Sequence, residues 1–153
     1  MHKMIRIGSS FAFTLLGCTL LSHTFLGVVR AQGFEDIGSF QTPSGNTYCI
    51  ATRDTRTNTA TLQCELRTNT AKLPAKPKDC NLDWGNRFIM SERGAASREC
   101  HGDTIQNPDY PKLEYGKRWS AGGFSCDLTK LRLRCINRDK RGFELAKAQQ
   151  KLF

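Results

Sequence analysis

His101 is the residue whose type most directly suggests chemistry. A small exported nuclease can use one histidine as general acid, a glutamate as base and arginines on the phosphate, and this chain supplies His101 with Glu99 or Glu114, Arg98 and Arg118. The other two histidines, His2 and His23, lie in an apolar N-terminal stretch. Nothing in the spacing assembles the set, and the plainer reading is that His101 supports a loop beside Cys100. A serine hydrolase would need a nucleophile elbow, and no Gly-x-Ser-x-Gly occurs. Asp79, Asp83, Asp103 and Asp109 are oxygen ligands of the kind calcium takes, but they follow no EF-hand spacing and read better as turn residues. No metal or cofactor is implied.

A second group is electrostatic. From Lys130 to Phe153 there are eight basic residues against Asp139 and Glu144. Lys130, Arg132, Arg134, Arg138, Lys140 and Arg141 form a basic C-terminal edge suited to an anionic polymer or a lipid surface. The alternative is a solvated face that keeps an edge strand from pairing with other chains, and no aromatics interleave the charges as single-strand nucleic-acid binding prefers. Trp84 and Trp119 would serve as a sugar platform if exposed. Trp84, before the apolar Phe88-Ile89-Met90, reads as core and Trp119 as the surface residue.

These groups are positioned by a cysteine framework. Residues 1–31 read as a secretory signal: Lys3 and Arg6 precede an apolar run from Ile7 to Val29, and Val29-Arg30-Ala31 offers small residues at the cleavage positions. Lipidation at Cys18 (Leu15-Leu16-Gly17-Cys18) and retention as a membrane anchor are the competing readings. Cleavage leaves 20 basic residues against 14 acidic ones and delivers Cys49, Cys64, Cys80, Cys100, Cys126 and Cys135 to an oxidising compartment. No Cys-x-x-Cys occurs, and intervals of 14, 15, 19, 25 and 8 residues fit no zinc or thioredoxin-type site. Three structural disulfides follow, with sequential pairing the most local connectivity.

Hairpins are the expected elements. Leu62, Cys64 and Leu66 alternate with Thr61, Gln63 and Glu65, which is a half-buried strand. Phe124, Cys126 and Leu128 share one face; Leu131, Leu133 and Cys135 share the next strand's. A loop at Thr129–Arg132 sets Cys126 opposite Cys135. His101–Gly116 reads as surface loop. Leu145, Ala148 and Leu152 stand at helical spacing, so Glu144–Leu152 is expected to be a short amphipathic helix. The fold class is therefore a mainly β, single disulfide-stapled domain over 32–153, of antiparallel hairpins with that C-terminal helix.

The ordered landmarks Phe40-x-Thr42-Pro43-Ser44-Gly45-Asn46-x-Tyr48-Cys49, Leu62-x-Cys64-Glu65, Asp79-Cys80, Asp83-Trp84-Gly85, Cys100-His101-Gly102-Asp103-Thr104, Gly122-Gly123-Phe124-x-Cys126, Cys135-x-Asn137-Arg138-Asp139 and Gly142-Phe143 run through the whole mature chain. In these the sequence resembles a family of small exported bacterial proteins classed only as a domain of unknown function. One departure is Lys140-Arg141, where the family commonly has Gly-His. The resemblance implies export and architecture and lends no activity. The resulting expectation is a secreted, monomeric, non-enzymatic binding or structural module of the cell envelope or extracellular space. Its alternatives are a small hydrolase using His101, or an enzyme inhibitor that contacts a protein partner and inserts the His101–Gly116 loop.

Overall fold

Every element in the computed structural model, which describes residues 33–153, is a strand, with period-two alternation clearest in the segments Phe124–Leu128 and Leu133–Ile136. The strands are β1 (Phe34–Gln41), β2 (Thr47–Asp54), β3 (Ala60–Leu66), β4 (Asp83–Ser91), β5 (Ser97–His101), β6 (Arg118–Ala121), β7 (Phe124–Leu128), β8 (Leu133–Ile136), β9 (Gly142–Ala146) and β10 (Gln149–Leu152). They form two antiparallel meanders, ordered β1-β2-β3-β4-β5 and β10-β9-β8-β7-β6. The expected signal segment and Cys18 lie outside the described residues.

The inner faces of both sheets contribute to one core. Phe40, Leu62, Phe88 and Met90 come from the first sheet, and Phe124, Leu128, Leu133, Phe143 and Leu145 from the second. Phe88 meets Phe143 with ring centroids 5.9 Å apart, and Phe40 meets Trp119 at 5.1 Å. The described residues thus form a sandwich whose sheets interdigitate aromatic side chains. Trp119 packs against this core rather than standing free. Gly38 allows it: at φ 143° the backbone bulges between Asp36 and Gly38, and a Cβ there would sit 3.1 Å from the indole.

The C-terminal helix is not present. Glu144–Leu152 is the β9–β10 hairpin, with Gln149 opposite Ala146 and Leu152 opposite Phe143. Phe143 and Leu145 alternate inward and Glu144 points out, a period-two signal hidden when the segment is read from Glu144 onward. Gly142 and Phe153 exchange backbone bonds of 2.9 and 3.0 Å that close the hairpin. Leu131 also departs from expectation: it belongs to the loop between β7 and β8 and is 79% exposed, not on the core face.

Three disulfides join Cys49–Cys64, Cys80–Cys100 and Cys126–Cys135. The first and third link directly opposed residues of neighbouring strands, Cα atoms 4.1 and 4.0 Å apart, with no exposed surface. Cys80–Cys100 ties the segment before β4 to the outer strand β5, and Cys100 is only half-buried. Because thiol–disulfide exchange needs access to sulfur, mild reductant should open Cys80–Cys100 first while the other two persist. Alkylation and mass mapping of a reduction time course will read the order; simultaneous loss of all three would contradict it.

Candidate functional site

The first sheet's outer face carries a row of opposed side chains, Gln41, Tyr48, Glu65, Arg87 and Glu99, one from each strand. The segment 102–112 leaves β5 and returns along this row to β1, held by polar side chains of β1, β3 and β4. Arg87 donates to the Asp103 carbonyl. Glu65 accepts from the Thr104 hydroxyl (2.7 Å), the Ile105 N–H (3.0 Å) and the Gln106 amide (2.7 Å). Gln41 donates to the Pro108 and Tyr110 carbonyls at 2.7 Å each, and the Gln41 N–H donates to Pro111. The result is a strap laid flat across the sheet.

Glu65 is its centre. Its side chain is 4% exposed and paired at 2.8 Å with Arg87, itself 7% exposed. Burial alone would raise the carboxyl pKa; the bonds from Ile105, Arg87, Thr104 and Gln106 outweigh it and hold the value at about 2. With three bonds directed into the strap and a fourth from Arg87 of β4, Glu65 is an anchor. His101 is 92% buried at the strap's origin: Nδ1 lies 3.2 Å from the Asp103 carbonyl and Nε2 has no partner. Its proposed catalytic companions are dispersed. Arg98, on the opposite face of β5, covers the Phe88 ring at 4.5 Å, and burial lowers its pKa. Glu99 accepts from Gln63, and Arg118 lies in the other sheet, bound to Asp127 at 2.7 and 3.0 Å. Nor do Asp79, Asp83, Asp103 and Asp109 converge: among the described residues no cluster of three or more acidic, His or Cys side chains is placed to hold a metal ion.

The basic edge divides in two. On the second sheet's outer face, Arg118, Asp127, Arg134, Glu144 and Lys151 stand opposite one another strand by strand, so charge alternates across all five strands. Arg134 bonds Glu144 at 3.1 Å and lies 4.6 Å over the Phe153 ring. This is the solvated face that favourable cross-strand pairs predict. Arg138 pairs with Glu92 at 3.4 Å, while Asp139 pairs with Arg93 at 2.8 Å and accepts the Gly94 N–H at 2.9 Å. These contacts pin the β8–β9 turn to the β4–β5 turn. Lys140 takes a left-handed φ of 62° in that turn, and Lys140 and Arg141 point to solvent.

At the opposite end of the strands the arrangement differs. An open cleft of about 430 Å³ lies among the β1–β2 turn, the β7–β8 loop and the β9–β10 turn. Lys130, Arg132 and Lys147 line it with Thr42, Ser44 and Thr129, and the exposed Leu131 and Tyr115 supply apolar wall. Lys130 and Lys147 have no acidic partner among the described residues; Arg132 shares Glu144 with Arg134. Lys147 falls outside the Lys130–Arg141 edge because Glu144–Leu152 reads in sequence as a helix, and Leu131 reads there as a core residue.

A family model described as a family of unknown function (DUF6636) matches residues 19–153. The chain belongs to that family. No curated protein and no solved structure is similar enough to match it. The landmarks quoted above acquire structural roles in this fold. Asn137, 2% exposed, donates to the Ser91 and Gly94 carbonyls and accepts the Asp139 and Arg141 N–H groups, so one amide joins the two sheets. Asn46 bonds both the N–H and the carbonyl of Thr68, fixing the turn beside the cleft. A Cβ at Gly142 would overlap the Cys135 carbonyl, which explains Gly before Phe143.

Proposed function

We propose that the protein is an exported, non-enzymatic binding module that holds an anionic polymer in the cleft between the β1–β2 turn, the β7–β8 loop and the β9–β10 turn. The observation that carries this reading is the convergence on one open cleft of Lys130 and Lys147, which have no acidic partner among the described residues, and of Arg132, which shares Glu144 with Arg134. The Thr42 and Thr129 hydroxyls are engaged in the turns themselves, Thr129 donating to the Arg132 carbonyl at 3.1 Å, so the cations carry the contact with the anion. Three disulfides suit an oxidising compartment, which supports export. The strap geometry disfavours an inhibitor that inserts 101–116, because much of that segment is tied to the sheet beneath it.

Binding of the oxidised protein to immobilised dextran sulfate across a salt series tests the proposal. Affinity should fall steeply with salt, and a Lys130→Gln/Arg132→Gln/Lys147→Gln variant should bind roughly 100-fold more weakly, at about 1 kcal/mol per cation. An Arg134→Gln/Arg138→Gln variant should lose far less. Equal losses in the two variants would show diffuse charge attraction and no cleft; absence of binding by the parent protein would remove the reading.

A further inference from the structure

We infer that the basic cleft continues into a cationic ribbon, the connector 68–78, and that its ligand is a long anionic polysaccharide lying along both. The inference rests on the reading of the cleft given above and extends its contact surface.

The connector starts at the cleft and is bonded to two of its walls. Asn46, which lines the cleft in the β1–β2 turn, bonds both the N–H and the carbonyl of Thr68. The Thr70 N–H then donates to the Lys147 carbonyl at 2.8 Å, in the β9–β10 turn. Gln150 of β10 donates to the Asn69 side chain at 3.0 Å. Lys72, Lys76 and Lys78 follow, all exposed, and no acidic residue occurs between Glu65 and Asp79. Among the described residues none of these lysines pairs with a carboxylate. Lys147 is therefore the joint at which the cleft passes into the ribbon.

A surface linker is ordinarily mobile, but this one is held down along its length. The Asn69 amide donates to the Gly85 carbonyl at 3.0 Å. Leu73 lies against Gly85, where a Cβ would overlap it, and the Trp84 indole N–H donates to the Pro74 carbonyl at 3.3 Å. Cys80, joined to Cys100, fixes the far end. Pro74 and Pro77 stiffen the backbone between these points. The lysine side chains take part in none of these contacts. The backbone is thus ordered in advance while the ammonium groups stay open to a ligand, which lowers the entropic cost of binding.

The layout selects the ligand. A single phosphate or sulfate reaches one or two cations. Lys72 to Lys78 spans up to about 19 Å in the extended form that prolines favour, so only a chain with repeated charges can engage the ribbon and the cleft together. No aromatic residue lies between Leu66 and Leu82, so the ribbon has no platform on which bases would stack. A polysaccharide bearing sulfate, phosphate or carboxylate groups fits it better than a nucleic acid.

Fluorescence anisotropy of the oxidised protein with labelled heparin tetrasaccharide and eicosasaccharide tests this. The parent should bind the long chain roughly 100-fold more tightly, and with a steeper dependence on salt, because more cations displace counterions. A Lys72→Gln/Lys76→Gln/Lys78→Gln variant should lose roughly 100-fold on the eicosasaccharide while its tetrasaccharide affinity and melting temperature stay unchanged. A Lys130→Gln/Arg132→Gln/Lys147→Gln variant should lose the tetrasaccharide. An eicosasaccharide affinity untouched by the ribbon variant would overturn the ribbon and leave the cleft standing. No binding of either length by the parent would overturn the cleft reading and the ribbon with it. Equal competition by a thymidine oligonucleotide of matched charge would overturn the choice of a polysaccharide.

Discussion

Glu65→Ala should destabilise the protein by about 3–5 kcal/mol, because removing one member of a buried ion pair leaves the other charged and alone. Arg87 would keep only the Asp103 carbonyl and a Glu99 oxygen at 4.0 Å, and the donors of Thr104, Ile105 and Gln106 would lose their acceptor. The loss should not be uniform: amides from 103 to 106 should exchange faster than the core strands, because the strap detaches while the sandwich persists. The parent protein should show a matching acid dependence. A carboxyl held at about 2, below its unfolded value near 4.5, contributes stability that is complete above the unfolded pKa. That contribution disappears as pH falls from about 4.5 toward 2. Asp54, Asp127 and Asp139 are also held low by arginine or backbone N–H partners, but they stand at the surface, where screening makes such pairs worth little. Glu65→Gln removes the charge and keeps the shape, so its stability should change much less over that window. Urea denaturation of parent and variant between pH 2 and 6 decides the matter; parallel curves would show that Glu65 does not anchor the strap.

Much of this was legible from alternation and cysteine spacing, and the exceptions share a cause. The alternation of Leu62, Cys64 and Leu66 does lie on one strand, β3, and the loop at Thr129–Arg132 does set Cys126 opposite Cys135. Those features are local: a strand's two faces and a tight hairpin are encoded within about ten residues. Glu65 looked like solvent face because its burial comes from a segment some forty residues later, which no local pattern reports. The basic edge looked continuous because charges were counted along the chain. Strand pairing places Glu144 opposite Arg134 and brings Glu92 to Arg138, while Lys130, Arg132 and the later Lys147 come together around an open cleft at the other end of the strands. Trp84 and Trp119 exchanged their expected roles for the same reason. Trp119 is seated by Gly38 and Phe40 of the other sheet, while a bulge in its own strand leaves Trp84 at a cleft.

The C-terminal segment gives the sharpest quantitative contrast between local propensity and tertiary pairing. Ala146-Lys147-Ala148-Gln149-Gln150-Lys151 is built of good helix formers, and in a helix Leu145, Ala148 and Leu152 would share the buried stripe. In the sandwich β9 lies along β8, so Phe143 and Leu145 fall inward, with Phe143 against Phe88, while Leu152 remains 40% exposed on the outer strand β10. Phe143→Ala should therefore cost about 3–5 kcal/mol through lost burial and the cavity left beneath Phe88. Leu152→Ala should stay within about 0.5 kcal/mol, as surface changes usually do. A helical terminus predicts the reverse order, since Phe143 would precede the helix and Leu152 would end its apolar face. Chemical denaturation of the two variants separates the cases, and circular dichroism of the parent should show no helical minimum from this segment. Comparable losses from both substitutions would mean that Leu152 is buried by contacts this fold does not contain. The pairing also explains why propensity yields: without β9 the outer edge of β8 would be left with a row of orphaned backbone groups beside a buried disulfide, whereas β9 satisfies them and buries two large side chains at once.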